Sequence, residues 1–350
     1  MIPFFVPEFT KDMENAAIDA LRNEKFVMGE SVFKFEEEFA RYIGTKFAIS
    51  LNSGNAALQL SLISLGINEK SKVITSTNSF IASANCILMT GAKPILCDIN
   101  HNDGNIDIKT TNEKSDAIIP VHIYGNPCDL DSIKNLSEEY NIPIIEDACQ
   151  AHGAIYDQKK VGSLGSVGCF SFYPTKNMTV CGDGGMVTTN NDEIKNKIES
   201  LRDNGRKTRT EHDKLGFTMR LNTVNASIGR IQLQTLDKKN KRRREIATLY
   251  KKFLVEDCIL SENPRGTSVY HQIVLKHKKR DEIVSHLSKN DIGTAIYYPI
   301  PIHKQPLYIK YGFNLPISEK FSQEVLSLPS YPGLDDDDIK LVCEKINEVI

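Results

Sequence analysis

Short, continuous apolar segments alternate with helical patterns between residues 47 and 190, and this alternation restricts the chain to few folds. The segments are rich in β-branched residues and span 47–54, 72–77, 93–99, 117–125, 142–150, 167–173 and 185–190. Between the first two, apolar side chains recur on a helical spacing as far as Gly66, a residue suited to a C-cap. Apolar strands separated by helices are typical of a mostly parallel sheet with helices on both faces. The sequence therefore predicts an α/β fold, in which ligands bind beyond the carboxyl ends of the strands.

The pattern changes in the C-terminal third of the chain. Residues 222–254 contain no proline and predict one long helix. Two proline-punctuated, strand-like pieces follow at 268–275 and 294–303. A final helix is predicted after the acidic run at 335–338, since acidic side chains are favourable at a helix start.

These patterns predict two domains. The large domain spans residues 1–235, and its N-terminal segment is a candidate to pack on the small domain. The small α+β domain spans residues 236–350. A chain of 350 residues, 40% hydrophobic and 25% charged, is long enough to build both cores.

Charge and hydropathy exclude several classes of protein. The formal net charge is −2, so nothing draws the chain as a whole to nucleic acid or to a membrane surface. No apolar stretch approaches the roughly 18 residues of a membrane span, and the first residues lack the pattern of a signal peptide. The eight cysteines are scattered without a CxxC pair, which favours buried, reduced thiols. We expect a cytoplasmic protein.

The most informative segment is 169–187, which contains Lys176. The lysine follows an apolar strand and a Pro-Thr turn, and it precedes a glycine-rich stretch at 182–185. A lysine that forms an imine needs such rigid support and neighbours that lower its pKa, so that neutral amine exists near pH 7. Taken alone, the pattern also fits an ordinary lysine in a turn.

Two adjacent acidic residues, Glu146 and Asp147, follow the apolar half of segment 142–150. Because side chains alternate along a strand, only one of the two can point to a given side. A buried carboxylate needs a cation, and the protonated pyridine nitrogen of a bound cofactor is one. A helix cap or a structural ion pair explains the two acids equally well.

Two other strand ends carry candidate cofactor contacts. Ser53 and Gly54 lead into a helix, whose unpaired N–H groups and dipole favour an anion such as phosphate. Phe80 lies just beyond segment 72–77, where its ring is a candidate to stack on a planar cofactor. Ordinary capping by Ser53 and a core position for Phe80 are the alternatives. Cys149 and His152 are too few for a metal site, and we expect none.

Taken in order, the motifs resemble the sugar-aminotransferase family known as the DegT/DnrJ/StrS group of fold-type I pyridoxal-phosphate (PLP) enzymes. The similarity runs nearly end to end, through GESVFKFEEEFARYIGTKFAISLNSGNAAL, TGAKPILCDI, PVHIYGNPCDLD, IIEDACQAHGA, GSVGCFSFYPTKNMTVCGDGGMV, LRDNGR, YYPIPIHKQPLY and LSLPSYPGL. The resemblance implies a large domain with a mostly parallel seven-stranded sheet between helices, and a smaller α+β C-terminal domain. Some members that lost the lysine act as dehydratases, and the presence of Lys176 argues against that branch.

The resemblance also implies roles for individual residues. Lys176 would bind PLP covalently, and Asp147 would pair with the ring nitrogen. The other cofactor contacts would be Ser53, Gly54, Asn55 and Ser171 at the phosphate, Phe80 on the ring face and Gln150 near the phenolic oxygen. Thr218 stands where many members have an asparagine that reaches the phosphate of the neighbouring subunit, which puts that contact in doubt. The candidate substrate contacts are Arg220, Tyr298, His303 and Tyr308, and packing in a proline-rich loop is the alternative for the last three.

The sequence thus predicts an aminotransferase. By family analogy it takes the amino group from glutamate and places it at C3 or C4 of a nucleoside-diphosphate keto-sugar, in amino-sugar or polysaccharide biosynthesis. We expect a homodimer with shared active sites. One alternative is the same chemistry on a cyclitol or another non-nucleotide keto substrate. Another is a binding or regulatory protein that has kept the fold and lost turnover.

Overall fold

The computed structural model describes residues 1–111 and 113–350. Its strands are β1 (Phe47–Leu51), β2 (Lys72–Ser76), β3 (Lys93–Cys97), β4 (Ala117–Ile119), β5 (Ile145–Asp147), β6 (Ile155–Tyr156), β7 (Lys159–Lys160), β8 (Val167–Ser171), β9 (Gly185–Thr189), β10 (Gly266–Thr267), β11 (Ile273–Lys276) and β12 (Val325–Leu328). Its α-helices are α1 (Lys11–Asn23), α2 (Glu30–Ile43), α3 (Gly54–Ser64), α4 (Ala82–Met89), α5 (Leu130–Tyr140), α6 (Asp192–Arg202), α7 (Thr223–Phe253), α8 (Arg280–Lys289), α9 (Pro316–Glu324) and α10 (Asp336–Asn347).

The central sheet has the strand order β1, β9, β8, β5, β4, β2, β3. Hydrogen-bonded ladders join the first four strands and the last three, and parallel bridges from Ile118 to Ile144 and from Val121 to Asp147 connect β4 with β5. Within the described residues, β9 alone runs antiparallel to its neighbours in this sheet. Each of the seven apolar segments contributes one strand. The prediction of a mostly parallel seven-stranded sheet is therefore confirmed for the part of the chain that the structure describes.

Both faces of the sheet are buried under helices, as the continuous apolar strands require. One face packs against α2, α5 and the first half of α7, through side chains such as Phe35, Ile133 and Leu236. The other face packs against α3, α4 and α6, through side chains such as Leu58, Ile87 and Ile198. Successive residues of a strand serve opposite faces. The carboxyl ends of the parallel strands remain open at one edge.

A separate apolar core forms in the C-terminal part of the chain. The second half of α7, α8 and α10 pack there around β11 and β12, which pair in antiparallel register. Ile2 belongs to the same core, and its backbone pairs with Asp291 and Gly293. The N-terminal segment thus packs on the C-terminal part of the chain, and the sequence had indicated this position as a candidate.

The predicted domain boundary at 235/236 falls inside α7. This helix is continuous from Thr223 to Phe253, close to the predicted 222–254. It contributes Leu236 to the core beneath the sheet and Ile246 to the C-terminal core. The division into 1–235 and 236–350 stays a prediction, since one helix serves both cores.

One of the two strand-like pieces in the C-terminal part is not a strand. Residues 294–301 form an irregular connection whose backbone pairing with β12 is a single bridge, from Ala295 to Ser327, and residues 302–303 begin a short 3-10 helix. Pro299 and Pro301 have no N–H to donate to a ladder, which explains the irregular course. The other piece, 268–275, becomes a strand only from Ile273 onward.

Two expectations drawn from composition can be compared with the structure. Among the described residues, none of the helices combines the length and the apolar character that crossing a bilayer would require. All eight cysteines are free in this part of the chain, and most are buried. The expectation of buried thiols is wrong for Cys181, which is exposed, because it lies in the loop that follows β8.

Glu146 holds the turn between β7 and β8 against the end of β5. Its carboxylate accepts hydrogen bonds from the backbone N–H groups of Gly162, Leu164 and Gly165 at 2.7–2.8 Å, and it lies 3.1 Å from Nε2 of His122. Burial by itself would raise the pKa of Glu146. The hydrogen bonds from His122 and from the turn outweigh this effect and hold that pKa below its ordinary value of 4.5.

We expect Glu146→Gln to lower the free energy of unfolding by about 3 kcal/mol at pH 7, because a neutral amide cannot accept from all of these donors. A carboxylate with a lowered folded-state pKa stabilises the fold fully above its unfolded-state pKa. The difference from wild type should therefore shrink as pH falls below 4.5 through the lower folded-state pKa. Urea unfolding at several pH values measures this. Glu37→Gln, on the exposed face of α2, is the control and should cost less than about 0.5 kcal/mol; an equal loss for both variants would contradict the prediction.

Candidate active site

A cavity of about 560 Å³ opens at the carboxyl edge of the central sheet. It lies where β1, β2, β5 and β8 end and where α3 and α4 begin, as expected for an α/β fold. The structure brings most of the predicted cofactor contacts to its walls, namely Ser53, Gly54, Asn55, Phe80, Asp147, Gln150, Ser171 and Lys176. The predicted substrate contact Tyr298 also lines it.

Lys176 sits in the turn that follows β8. Its backbone N–H donates to the carbonyl of Tyr173 at 2.9 Å, and the strand before it is tied to the glycine-rich stretch by a bond from Phe172 N–H to the carbonyl of Gly184 at 2.8 Å. Burial lowers the pKa of Lys176, while Cys149 and Asp147 act in the opposite direction. The turn therefore presents a rigidly held amine whose neutral form is favoured by its surroundings.

Asp147, the last residue of β5, faces the cavity, whereas Glu146 points to the turn behind the sheet. One carboxylate oxygen of Asp147 accepts a hydrogen bond from the hydroxyl of Ser83 at 2.7 Å. The other accepts from the backbone N–H of Cys149 at 3.2 Å. Because side chains alternate along the strand, the two acids point in opposite directions, and only Asp147 is available to a ligand in the cavity.

The N-terminus of α3 forms another wall of the cavity. Ser53 caps this helix, since its hydroxyl oxygen accepts from the N–H of Ala56 at 3.1 Å. Gly54, Asn55 and Ser171 lie beside it on the cavity surface. A Cβ added to Gly54 would lie 2.7 Å from Cβ of Ser171 and 2.9 Å from Sγ of Cys149, so only glycine fits. Free N–H groups, a helix dipole and hydroxyls suit a phosphate.

Replacing Gly54 by alanine should therefore weaken PLP binding at least about tenfold, because the added methyl group must displace Ser171 or Cys149 at the helix start. Titration of the cofactor-free protein with PLP, followed by absorbance, measures the dissociation constant. Gly333→Ala is the matched control, since a Cβ there would meet nothing within 4 Å. Equal affinities for the two variants would count against a phosphate site at this helix.

Aromatic and amide groups form another part of the cavity wall. Phe80 is 56% exposed at the cavity surface and is not a core residue. Its ring centroid lies 6.4 Å from that of Tyr298. The side chain of Gln150 donates to the hydroxyl oxygen of Tyr298 at 3.3 Å and accepts from the N–H of Tyr124 at 2.8 Å. Burial raises the pKa of Tyr298, so this hydroxyl stays protonated at neutral pH.

Two predicted substrate contacts are not part of the cavity. Nδ1 of His303 lies 2.7 Å from the hydroxyl of Thr77, and its Nε2 lies 3.1 Å from Glu319. The buried Tyr308 donates to the side-chain oxygen of Asn85 at 2.9 Å. In the single chain His303 thus anchors the proline-rich loop beside the end of β2 and Tyr308 anchors it on α4. Their role as substrate contacts stays a prediction.

Thr218 and Arg220 also lie outside the cavity of the single chain. Thr218 donates to the side-chain oxygen of Asn204 at 3.1 Å, and Arg220 forms an ion pair with Asp203. The cross-subunit role of Thr218 and the substrate role of Arg220 stay predictions.

Several polar residues that line the cavity were not singled out from the sequence as ligand contacts; these are Ser79, Ser83, Cys149, Tyr173, Thr175, Asp183, His271, Gln272 and Tyr297. Ser83 lies in the first turn of α4 and Ser79 in the bend just before that helix, and their hydroxyl groups are 2.7 Å apart. His271 and Gln272 fall in the piece that had been interpreted only as a strand. Burial lowers the pKa of His271 well below its ordinary value, so this imidazole is neutral.

The chain is similar to known aminotransferases in both sequence and fold. The model of the DegT/DnrJ/EryC1/StrS aminotransferase family matches residues 7–347. A dTDP-3-amino-3,6-dideoxy-alpha-D-galactopyranose transaminase of Aneurinibacillus thermoaerophilus is 38% identical over 361 residues, 99% of either chain. A pleiotropic regulatory protein of Geobacillus stearothermophilus is 37% identical over 342 residues, 94% of this chain and 92% of that one. The crystal structure of DesV of S. venezuelae, in complex with a ketimine intermediate, is 34% identical and has a TM-score of 0.92, covering 96% of this chain and 93% of that one.

Proposed function

This chain belongs to the DegT/DnrJ/EryC1/StrS aminotransferase family, and on that premise we propose that it moves an amino group from glutamate to a keto group of a nucleotide-linked sugar. The observation that carries the proposal is the placement of Lys176 and Asp147 on the wall of one cavity. The N-terminus of α3 lies on the same wall, and its first residue, Gly54, has no room for a side chain. The transaminase of Aneurinibacillus thermoaerophilus is named for a dTDP-linked 3-amino sugar, which supports a nucleotide-linked keto-sugar and favours C3 over C4.

The residues of the cavity fit PLP, the cofactor of this family. Ser53, Gly54, Asn55 and Ser171 would hold the phosphate, Phe80 and Gln150 would contact the ring, and Asp147 would pair with the ring nitrogen. At Gly54 the backbone lies too close to Ser171 and Cys149 to leave room for a Cβ. This close packing brings the N–H groups at the start of α3 and the hydroxyl of Ser171 together, as a phosphate site requires. When bound, PLP supplies an electron-accepting ring that stabilises negative charge at the carbon of the amino donor.

Lys176 would first bind the cofactor through Nζ and then, once the amino donor has displaced it, carry a proton between the donor carbon and the cofactor. An amine acts as a base only in its neutral form, and burial favours that form here. Asp147 supplies the negative charge that keeps the ring nitrogen protonated. Lys176 is the only lysine or arginine among the described residues that line the cavity, so no other side-chain amine there can bind the cofactor covalently.

Absorbance spectroscopy of the purified protein tests the proposal. With PLP added, we expect a visible band that glutamate converts to the near-ultraviolet band of the pyridoxamine form. The aminated enzyme should then regain the visible band with dTDP-, UDP- or GDP-linked 3-keto or 4-keto hexoses. A protein that binds no PLP would contradict the enzymatic function, whereas recovery only with a keto-cyclitol would establish the alternative substrate class.

The name of the Geobacillus stearothermophilus relative is the observation that favours a second function, a regulatory protein. In that case the chain would bind PLP without losing the visible band to any amino donor. The Lys176 and Asp147 geometry supports turnover instead. We propose further that the protein is a cytoplasmic homodimer with shared active sites, which sedimentation and complementation between two inactive variants would test.

A further inference from the structure

Asp147 is tied to a chain of hydroxyl groups at the start of α4. The hydroxyl of Ser83 lies 2.7 Å from Asp147 Oδ2, and the hydroxyl of Ser79 lies 2.7 Å from that of Ser83. Ser79, Ser83 and Asp147 are 5%, 2% and 3% exposed. All three nevertheless belong to the wall of the cavity.

The order of donors in this chain is fixed by chemistry. A carboxylate accepts and does not donate, so the single hydroxyl proton of Ser83 must point to Asp147. Ser83 can therefore only accept from Ser79, whose hydroxyl donates to it. Each bond polarises and so strengthens the next, and together they hold Oδ2 of Asp147 in place.

We propose that Ser83 is a positioning residue that fixes the orientation of the Asp147 carboxylate, with Ser79 as its supporting donor. The inference rests on the proposed function, in which Asp147 pairs with the ring nitrogen of PLP. The bond from Ser83 to Oδ2 and the bond from Cys149 N–H to Oδ1 hold the two oxygens of the carboxylate separately. The carboxylate consequently cannot rotate about its last torsion without breaking one of them.

The test compares Ser83→Thr with Ser83→Val, which have the same shape and differ by the hydroxyl. Ser83→Ala is added because alanine is favourable inside a helix and keeps α4 intact. The readouts are the pH midpoint of the visible PLP band, the PLP dissociation constant and the separate values of kcat and KM. Each variant leaves the other titratable groups of the cavity in place; these are Cys149, Tyr173, Lys176, Asp183, His271, Tyr297 and Tyr298.

We expect Ser83→Val and Ser83→Ala to shift the pH midpoint of the band by about one unit and to lower kcat roughly tenfold, with KM for the amino donor changed less than about threefold. Ser83→Thr should lie within about threefold of wild type in kcat and show no shift. Ser79→Ala should shift the midpoint in the same direction by a smaller amount. A role in folding alone would change the yield or the stability of these variants, but not the midpoint of the PLP-loaded protein.

Asp147→Asn separates failure of this inference from failure of the proposed function. If Asp147→Asn changes the band and the Thr and Val variants are indistinguishable, the positioning role of Ser83 is wrong and the proposed site stands. If Asp147→Asn instead leaves the pH midpoint of the visible band as in wild type, Asp147 does not face the ring nitrogen, and both proposals are wrong.

Discussion

Replacing Lys176 by alanine is expected to lower turnover at least about ten-thousand-fold, because the variant loses both the covalent anchor of the cofactor and the group that carries the proton. The protein should still fold and bind PLP, since the phosphate contacts proposed at the N-terminus of α3 do not involve Lys176. Its absorbance should be that of free or non-covalently bound PLP. Addition of glutamate should leave this spectrum unchanged over a period in which wild type reacts completely.

Two controls make the Lys176 result specific. Lys176→Arg keeps a positive charge but cannot form an imine or give up its proton near neutral pH, so it should be as inactive as the alanine variant. Lys159→Ala removes an exposed lysine of β7 and should change turnover less than about twofold. If Lys176→Ala retained a tenth of wild-type turnover, the catalytic amine would have to lie elsewhere.

The edge of the sheet that carries the site was predictable from local sequence. A strand that is buried on both faces must be apolar throughout, so the first polar residues after it mark its end. Because the carboxyl ends of parallel strands share one edge, Ser53, Phe80 and Asp147 could be placed together before any contact was known. Local sequence alone does not decide which of Glu146 and Asp147 faces the cavity, because that depends on where the turn at 162–168 closes; only the family resemblance favoured Asp147.

The parts of the site that local sequence does not predict depend on contacts between distant segments of the chain. Ser83 and Asp147 are 64 residues apart, and their hydrogen bond exists only because the fold places the first turn of α4 beside the end of β5. For His303 and Tyr308, in the loop after Tyr298, the sequence left substrate contact and packing as alternatives. Their hydrogen-bond partners in the single chain are Thr77, Glu319 and Asn85, and nothing in the local sequence of the loop reveals those partners.

Asp147→Asn should lower turnover about a thousandfold while the protein remains folded and binds PLP. Asparagine keeps the shape of the side chain but removes the negative charge, so the ring nitrogen loses the partner that keeps it protonated. The ring then accepts electrons less well, and proton removal from the donor carbon by Lys176 slows. A thousandfold loss corresponds to about 4 kcal/mol at the transition state. Single-turnover absorbance changes with glutamate measure this step directly.

Glu146→Gln is the matched control for Asp147→Asn, since it changes the neighbouring acid in the same way. It should destabilise the fold but, in the folded protein, leave the rate with glutamate within about threefold of wild type, because Glu146 binds the turn at 162–165 and not the cavity. Of two adjacent positions in one strand, Glu146 thus affects stability and Asp147 affects the rate of the reaction. If Glu146→Gln slowed the reaction as much as Asp147→Asn, the loss would reflect disruption of β5, and the role of Asp147 as partner of the ring nitrogen would be contradicted.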